Sequence, residues 1–583
     1  MNFSTLSNYF AKLESVDSRL QMTEILAQLF NQSDTNEIDK ICYLSLGILS
    51  PKFVGLNLML AEKMMIRAVA TALNLPISQI KTDYKNSGDL GISFFNLSQK
   101  SQSLNNQNMS IVAVYKELVA IANQAGAGSQ ERKISGFSSL LKNFDSLSGK
   151  YLVRFAVAKL RLGFSDMTIL DALSWSQKND KSLRPLLEDA YNARADIGQI
   201  AKIFKSQGLE AIKKINPEIS TPIVLSRATP LLDPKQILAK MNGQAILEPK
   251  FDGFRVQLHF DRHQPVNQNS EISLFESVQN QSLVKIYSRN LDDITFMFPE
   301  LITDIAKLPV DSVILDGEAL AFDPTTGQLL DFQETIKRKR KHDIDKVSSQ
   351  IPLQAQVFDI LYLNGRSLIK TPFIDRRKKL NQIFSDFNSP HYLICDQKIV
   401  NNPEDFDAYF RQLAGAGLEG LMAKKLDAPY KAGKRDFTWV KYKVGMQSQM
   451  ADTVDAVVIG YFKGKGKWTQ FGLGKILVGI PDDDKIYALS KVGSGLSEDI
   501  IKQIYDKCQP LKIDKKPNRY VVDKTLIPDV WVKPEIIVEI RADSISSSSL
   551  YQTGLSLRFP RFIRFREDKN LNSATTLKQL KNF

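Results

Sequence analysis

Hydrophobic residues in the first 215 positions recur every three or four residues, with few glycines or prolines between them. This spacing places the apolar side chains on one face of a helix. The segments at 151–163 (YLVRFAVAKLRLG) and 168–176 (TILDALSWS) keep the same period. The pattern predicts an all-α region whose apolar residues form a core. The first amphipathic series begins with Leu6, Phe10, Leu13 and Leu20.

The periodicity changes after residues 215–234, a stretch with four prolines that is typical of a linker. Beyond it, short β-type runs alternate with helical segments such as FIDRRKKLNQIF, which predicts an α/β domain up to residue 445. The strand-like runs after that residue are separated by turn residues and predict a small β-barrel. The runs on which these predictions depend include KIYSRN, SVILDGEALAFD, LQAQVFDILYL, GLMAKK, DAVVIGYFKGKG and WVKPEIIVEIRA.

Charge narrows the class of partner. The 583 residues include 77 Lys and Arg against 64 Asp and Glu, a net charge of +13. An excess of cations favours a polyanion, because basic side chains displace counterions from phosphates. Charge alone leaves open a basic protein without such a partner. The chain length predicts three or four domains.

Cysteine and histidine usage excludes several kinds of site. The three cysteines lie far apart without CxxC spacing, and the four histidines show no ligand spacing. A zinc knuckle, a disulfide framework and a histidine-based triad are therefore not expected. The first twenty residues do not resemble a signal peptide, and no apolar run is long enough for a membrane span. These features predict a cytoplasmic protein that does not contact membranes.

The strongest chemical signal is EPKFDGFRVQLHF at residues 248–260. Lys250 follows a proline and precedes a short Asp252-Gly253 turn, with Arg255 five residues further on. Such a turn can present an amine at the mouth of a pocket, although a surface hairpin with scattered charges fits equally well. The chain has no GxxxxGK[ST] segment, so an ATP-using protein with this sequence is not a P-loop enzyme.

Six further segments follow in order, and together the set resembles the motifs of the covalent nucleotidyltransferases, which include ATP-dependent DNA ligases, RNA ligases and mRNA capping enzymes. The C-terminal stretch from PDVWVKPEIIVEI to RFIRFREDK is similar to the replicative DNA ligases of archaea and eukaryotes. FVGLNLMLAEKMMIRAVA and GKYLVRFAVAKLRLG resemble their helical DNA-binding domain. The six segments are SRN (288–290), LDGEALAFD (315–323), VFDILYLNG (357–365), EGLMAKK (419–425), KRDFTWVKYK (434–443) and SLRFPRFIRFREDK (556–569).

This resemblance implies a multidomain fold and a reaction. An all-α DNA-binding domain is expected at 1–215, an α/β (ATP-grasp-like nucleotidyltransferase) adenylation domain at 222–445, and an OB-fold β-barrel at 446–583. The implied activity is ATP-dependent sealing of nicks in duplex DNA, with Mg²⁺ or Mn²⁺. A monomer is expected, and a sliding clamp remains open as a further partner.

The resemblance also implies roles for individual residues. Lys250 matches the nucleophile that carries AMP, and an amine attacks phosphorus only when its pKa falls enough to make it neutral. Arg255 and Lys441 match cations that promote this fall and hold phosphate oxygens. Lys443, two residues along a predicted strand, is expected on the same face as Lys441.

The remaining matches concern the base, the ribose, the metal and the phosphates. Glu248 matches the residue that recognises adenine, and Phe358 the aromatic wall stacked on the base. Glu318 and Glu419 match acidic residues near the ribose and the metal. The implied phosphate contacts are Arg289 and Arg435 for the nucleotide and the nick, and Arg558, Arg564, Arg566 and Lys569 for pyrophosphate.

Other functions remain open at this point. An RNA ligase or capping-type guanylyltransferase shares the central motifs but lacks the helical domain. An NAD-dependent ligase is disfavoured because its zinc-binding cysteines are missing. A non-catalytic DNA clamp could keep the fold without the chemistry. The basic run KRKRK at 337–341 is interpreted as a DNA-backbone contact or a solvated loop rather than a nuclear signal.

Overall fold

The computed structural model divides the chain into two compact units, Met1–Lys441 and Tyr442–Phe583. No helix among the residues it describes is long and apolar enough to cross a membrane. The described residues are 1–100, 104–105, 107–160, 162–264, 282–330, 332–338, 348, 350–443, 453–464, 471–542, 544–548 and 551–581.

The first part of the Met1–Lys441 unit is helical, which confirms the predicted fold class of this region. Side-chain caps define several helix starts; Asp145, for example, accepts a hydrogen bond from the Ser148 amide at 2.8 Å. The α-helices are α1 (Phe3–Glu14), α2 (Arg19–Gln32), α3 (Ile38–Leu46), α4 (Glu62–Leu73), α5 (Ile77–Ser87), α6 (Leu90–Ser98), α7 (Ile111–Ala122), α8 (Ser129–Leu141), α9 (Ser146–Ala156), α10 (Asp166–Lys178), α11 (Arg184–Ala193) and α12 (Ile197–Lys213).

Two details of the helical prediction were wrong. The helix predicted over 151–163 ends with α9 at Ala156, because Ala158 adopts a left-handed φ of 53° and the Lys159 amide turns back to the Arg154 carbonyl at 2.8 Å. Leu20 is 47% exposed rather than buried. The segment at 168–176 lies inside α10, as predicted.

The rest of this unit contains two mostly antiparallel sheets, with order β1-β11-β10-β2-β9 in one and β4-β3-β5-β6-β7 in the other, where β8 also pairs with β6. Helices alternate with these strands, as predicted for an α/β region. The elements are β1 (Arg227–Pro230), α13 (Pro234–Lys240), β2 (Ala245–Lys250), β3 (Phe254–Asp261), β4 (Leu283–Ser288), α14 (Pro299–Ile305), β5 (Ser312–Ala321), α15 (Phe332–Ile336), β6 (Leu353–Leu363), β7 (Arg366–Ser367), α16 (Phe373–Phe384), β8 (Tyr392–Ile394), β9 (Lys398–Val400), α17 (Pro403–Gly415), β10 (Gly420–Lys424) and β11 (Arg435–Lys443).

The linker before β1 packs against polar side chains of β3. The Gln257 side chain accepts from the Ile223 amide at 2.7 Å and donates to the Ile223 carbonyl at 3.2 Å. Arg255 donates to the Ser226 carbonyl at 2.8 Å. Buried backbone outside a sheet ladder needs such partners. The alternation of β3 therefore places polar residues on a buried face.

His259, on the same face of β3, predicts a pH dependence of stability. Its side chain is fully buried beside Gln257, and burial lowers its pKa to about 3. The unfolded chain takes up this proton near pH 6.5, so the folded state loses stability as pH falls from about 6.5 towards 3. At pH 4.5 the loss is about 3 kcal/mol. We expect urea unfolding of His259→Asn to be less acid-sensitive than that of the wild type.

The exposed His263 provides the matched control for this experiment. His263→Asn removes the same kind of side chain four residues further along the chain. This substitution should leave the acid sensitivity of unfolding unchanged. Equal acid sensitivity in His259→Asn and the wild type would contradict the buried neutral imidazole.

Arg338 corrects the interpretation of the basic run at 337–341. This arginine is 3% exposed and donates hydrogen bonds to the Ile351 carbonyl and to Glu300, both at 3.0 Å. It therefore stabilises the fold and contacts neither solvent nor a DNA backbone. Lys337 is exposed and pairs with Glu334. Residues 339–341 lie outside the described part of the chain.

The Tyr442–Phe583 unit is built mainly from strands. The described strands form one sheet with order β15-β17-β12-β13-β14-β16 and a separate β19-β20 pair. β18 joins the larger sheet by pairing with β12, and β21 pairs with β18. This confirms a C-terminal sheet domain. The elements are β12 (Val454–Phe462), β13 (Lys475–Asp482), β14 (Lys485–Val492), α18 (Glu498–Cys508), β15 (Lys512–Ile513), β16 (Tyr520–Val521), β17 (Val530–Val532), β18 (Ile537–Arg541), β19 (Ser544–Ser547), β20 (Leu555–Arg558), β21 (Arg561–Phe565) and α19 (Leu577–Leu580).

Candidate active site

Lys250 is the last residue of β2, and it lies opposite Gly420 at the start of β10. Its ammonium group donates a hydrogen bond to the Glu419 carboxylate, and both side chains are about four-fifths buried. Pro249 is tolerated in this inner strand because β9 pairs only with residues 245–247. The sheet therefore holds a lysine and a carboxylate, 169 residues apart in sequence, in direct contact.

Arg255 is engaged by neighbouring protein groups. Its Nε and Nη2 donate to the two oxygens of Asp316 at 3.0 and 2.7 Å, and its Nη1 donates to the Ser226 carbonyl. Asp316 is fully buried and also accepts from the Tyr430 hydroxyl at 2.9 Å. A fork-shaped pair of this kind fixes the guanidinium plane. Arg255 was predicted to place a positive charge near Lys250. Its ion pair with Asp316 partly neutralises that charge.

Glu318 lies two residues after Asp316 on β5, and its side chain faces the turn at Gly253, which follows Lys250. Its Oε1 accepts a hydrogen bond from the Gly253 amide at 3.2 Å. Burial raises the pKa of Glu318 to about 7, although the nearby cations Arg255 and Lys250 oppose the rise. A Cβ at Gly253 would lie 2.5 Å from the Ala319 carbonyl, so the turn needs a glycine for this close approach. The arrangement leaves a partly buried carboxylate beside Lys250.

Glu248 lies two residues before Lys250 and is 2% exposed. Its carboxylate contacts Lys424 on β10 at 2.6 Å and Arg377 on α16 at 3.3 Å. Burial raises the pKa of Glu248, and the two cations oppose that rise. A buried carboxylate needs such partners to stay charged. The site therefore contains a preorganised acceptor that two cations hold in place.

Aromatic rings enclose the Lys424 ammonium group. Its Nζ lies 4.3 Å from the ring centre of Trp439, 4.5 Å from that of Phe358 and 4.6 Å from that of Phe373. Phe358 is partly exposed and packs edge-on against Trp439. The Arg255 guanidinium lies 5.5 Å from the same Phe358 ring. Phe358 is thus a partly accessible aromatic surface between the Arg255 and Glu248 clusters.

The other predicted cations lie along β11, just after β4 or in the Tyr442–Phe583 unit. Arg289 is exposed just after β4, and Arg435 is exposed at the start of β11. Lys441 is partly buried near the end of β11, and its backbone carbonyl accepts from the Leu231 amide at 3.4 Å. Lys443 is also partly buried, with the buried Tyr442 between the two lysines, as the strand alternation predicts. Arg558, Arg564, Arg566 and Lys569 lie in the C-terminal unit.

Five residues of the site were not singled out from the sequence. Four of them fall within the quoted motifs or next to them, where their position could have suggested a role. Arg377 lies in a helix with an ordinary charged pattern and gave no signal. The five residues are Asp316, Arg377, Lys424, Tyr430 and Trp439.

Three ranges of the chain match models of known protein families. Residues 2–174 match the family model described as DNA ligase N terminus. Residues 276–443 match the ATP dependent DNA ligase domain, and residues 469–569 match the ATP dependent DNA ligase C terminal region. The three matches follow the same order as the helical, α/β and C-terminal sheet regions. Lys250 lies between the first two matched ranges.

Individual relatives extend over the full chain. A protein of Dictyoglomus turgidum named Probable DNA ligase is 39% identical over 591 residues, which cover 100% of this chain and 97% of the relative. A DNA ligase of Sulfurisphaera tokodaii is 37% identical over 604 residues, which cover 100% and 97%. The solved structure named Pmar-Lig_Pre shares the fold, with a TM-score of 0.55 and 19% identity over 96% of this chain and 99% of that one. The chain therefore belongs to the family of ATP-dependent DNA ligases.

Proposed function

We propose that this enzyme seals nicks in duplex DNA, with 5′-phosphate and 3′-hydroxyl ends, through an adenylate carried on Lys250. The observation that carries the proposal is the partly buried contact between Lys250 and Glu419, with Glu318 at the adjacent turn. In the first step, Lys250 Nζ forms a bond to the α-phosphorus of ATP and the bond to pyrophosphate breaks. The ammonium group loses one proton to solvent to become the nucleophile and a second as the bond to phosphorus forms, and lysyl-AMP remains.

Two further transfers complete the reaction. An oxygen of the 5′-phosphate at the nick attacks the lysyl-AMP phosphorus, which regenerates the lysine and gives a DNA adenylate. The 3′-hydroxyl then attacks the 5′-phosphorus and AMP leaves. The protein contributes mainly orientation and charge neutralisation, as in other phosphoryl transfers. We assign Arg289, Arg435, Lys441 and Lys443 to phosphate contacts in these steps.

The carboxylates near Lys250 fit a divalent metal supplied together with nucleotide phosphates. Among the residues that the structure describes, no group of three or more His, Cys, Asp or Glu could hold a metal by itself. Glu318 and Glu419 offer hard oxygen ligands, and Mg²⁺ commonly uses one or two carboxylates together with substrate phosphates. We propose that these two residues would hold Mg²⁺ or Mn²⁺, which when bound neutralises phosphate charge.

The base is recognised, in this proposal, by Glu248 and Phe358. The carboxylate accepts a hydrogen bond from the exocyclic amine of adenine, and the ring stacks on the base. A guanine presents a carbonyl oxygen at that position and would face the carboxylate with a like partial charge. The Lys424 and Arg377 contacts oppose the rise in the pKa of Glu248 and orient its carboxylate for this selection.

Glu248→Gln tests the selection of adenine. The amide keeps the size of the side chain but can turn its NH₂ towards the base, so the preference for ATP over GTP should fall by about 10- to 100-fold. The measurement is covalent labelling with α-phosphate-labelled ATP and GTP over a concentration series. Thermal unfolding of the variant serves as the control for the loss of the buried ion pairs. An unchanged preference in a folded variant would exclude Glu248 as the base-reading residue.

The proposed enzyme has three domains. We assign 1–215 to DNA binding, 222–445 to adenylation and 446–583 to an OB-fold. The net charge of +13 supports a polyanionic partner. We propose a cytoplasmic monomer that acts in replication, repair or recombination.

The decisive experiment incubates the purified protein with Mg²⁺ and α-phosphate-labelled ATP, followed by nicked duplex DNA. We expect a covalent label on the protein that is discharged as the nick is joined. Discharge onto RNA nicks alone would assign an RNA ligase. A folded protein that is free of prior adenylate and takes up no label would be a non-catalytic DNA clamp.

A further inference from the structure

The side-chain hydroxyl of Tyr430 lies among the groups that hold Arg255. Tyr430 follows β10 and precedes β11, and it is 4% exposed. Its hydroxyl donates to Asp316 Oδ2 at 2.9 Å and accepts from the Ser226 amide at 3.1 Å. The same oxygen lies 3.4 Å from Arg255 Nη2, which donates to it. The Asp316 carboxylate and the Ser226 carbonyl both accept from this guanidinium, so one hydroxyl contacts the cation and two of its acceptors.

These acceptors are buried, which makes the hydroxyl hard to replace. Asp316 is 0% exposed and Ser226 is 1% exposed. Burial and the charge of Asp316 raise the pKa of Tyr430 well above its usual range, so the hydroxyl stays protonated and can donate. Without it, a buried amide and a buried carboxylate oxygen each lose a partner. Any shift by which these two groups recover a partner also moves the guanidinium that they hold.

The ring of Tyr430 has contacts of its own. It packs edge-on against Trp439 with the ring centres 5.7 Å apart, and the Arg376 guanidinium lies 5.8 Å from its ring centre. Its backbone amide donates to the Ile369 carbonyl at 2.8 Å. A phenylalanine would keep all three contacts. The substitution Tyr430→Phe therefore removes the hydroxyl and leaves the packing in place.

We infer that Tyr430 is a positioning residue, whose hydroxyl fixes the Arg255 guanidinium for the formation of lysyl-AMP. This inference rests on the proposed function, with Arg255 as a cation that acts beside Lys250 on the phosphates of ATP. Arg255 and Lys250 both oppose the rise in the pKa of Glu318, so the two cations approach the same carboxylate. Tyr430 acts through Arg255 and is not a reacting group.

The test compares Tyr430→Phe with the wild type in single-turnover labelling by ATP, below the unfolding temperature of both proteins. Lysyl-AMP formation at saturating ATP should slow by about 10- to 100-fold, the range expected when a catalytic group is misplaced. The preference for ATP over GTP should stay unchanged, because Glu248 and Phe358 are the residues assigned to the base. A general loosening of the site would lower the rate and the preference together, and that result, or a rate equal to the wild type, would overturn the inference.

Tyr392→Phe is the matched control. Tyr392 is 2% exposed, and its hydroxyl donates to the Leu301 carbonyl at 2.9 Å. The substitution removes a buried hydroxyl and its hydrogen bond elsewhere in the same unit, so labelling should match the wild type. Slowing as large as in Tyr430→Phe would mean that the loss of any buried hydroxyl explains the effect, and the role of Tyr430 would be refuted.

A double-mutant cycle tests whether Tyr430 acts through Arg255. Arg255→Lys keeps the charge but not the fork of donors, and it should slow lysyl-AMP formation. Adding Tyr430→Phe to this variant should slow the reaction by less than about twofold more, because groups that act as a unit are not additive. A further slowing as large as in Tyr430→Phe alone, or an Arg255→Lys variant as fast as the wild type, would refute the inference. A wild type that forms no lysyl-AMP would refute the proposed function itself.

Discussion

Replacement of Lys250 by alanine should abolish covalent labelling by ATP and lower nick joining by more than about 10⁴-fold, because no other group can form the adenylate bond. The side chain ends in direct contact with Glu419, where the sheet holds it still. Lys250→Arg keeps the positive charge and should be equally inactive, since a guanidinium stays protonated and is not a nucleophile. The measurement is gel detection of α-phosphate label on the protein.

Two other properties of the Lys250→Ala variant should survive. Its binding to nicked duplex, measured by fluorescence anisotropy, should match the wild type, because most affinity for DNA comes from many backbone contacts. It should also seal a nick that already carries a 5′-adenylate, since that step does not use the lysine as a nucleophile. Lys378→Ala, at a lysine that is 74% exposed, is the matched control and should label normally. Label retained by Lys250→Ala would place the nucleophile elsewhere.

Asp359→Asn should destabilise the Met1–Lys441 unit by about 3–5 kcal/mol, the largest effect on stability that we expect from one conservative change. Asp359 and Arg376 are both fully buried and form two hydrogen bonds of 2.7 and 2.8 Å. The substitution leaves a buried guanidinium without its counter-charge, and that desolvation cost is no longer offset. Chemical unfolding measured by circular dichroism tests the size of the loss.

An exposed ion pair on α16, the helix that carries Arg376, supplies the control. Asp375 contacts Lys378 at 3.4 Å, with side chains 49% and 74% exposed, so Asp375→Asn should cost less than about 1 kcal/mol. Because Asp359 follows Phe358 on β6, Asp359→Asn should also weaken ATP binding, and the control should not. Equal unfolding curves for the two variants would mean that the buried pair contributes no more than the exposed one.

The two experiments separate chemistry from scaffold. Lys250→Ala removes the reacting atom, so a folded variant loses labelling whether or not the lost contact with Glu419 lowers its stability. Asp359→Asn removes no reacting atom, and it acts on the site only through the strand that carries Phe358. Covalent labelling and chemical unfolding, measured on the same variants, therefore distinguish the residues that react from those that hold them in place.

Several features of this protein followed from the sequence alone. The helical period of the first 215 residues, the alternating runs beyond the proline-rich linker and the motif order predicted the helical, α/β and C-terminal sheet regions and the ligase family. Local periodicity is a property of neighbouring residues, and so it can be read without knowing what they pack against. The same holds for Lys250, whose neighbours in sequence resemble the family motif.

Only the tertiary structure decided which charges meet. Lys250 and Glu419 are 169 residues apart, and Glu248 is held by Arg377 and Lys424 from two other elements. The pairing of strands determines such contacts, and register depends on the whole sheet. Arg338 shows the converse, because its run of basic residues predicted exposure while its position against Met297, Glu300 and Ile351 buried it. A charged side chain is buried wherever the fold supplies enough partners, and the sequence around it does not contain that information.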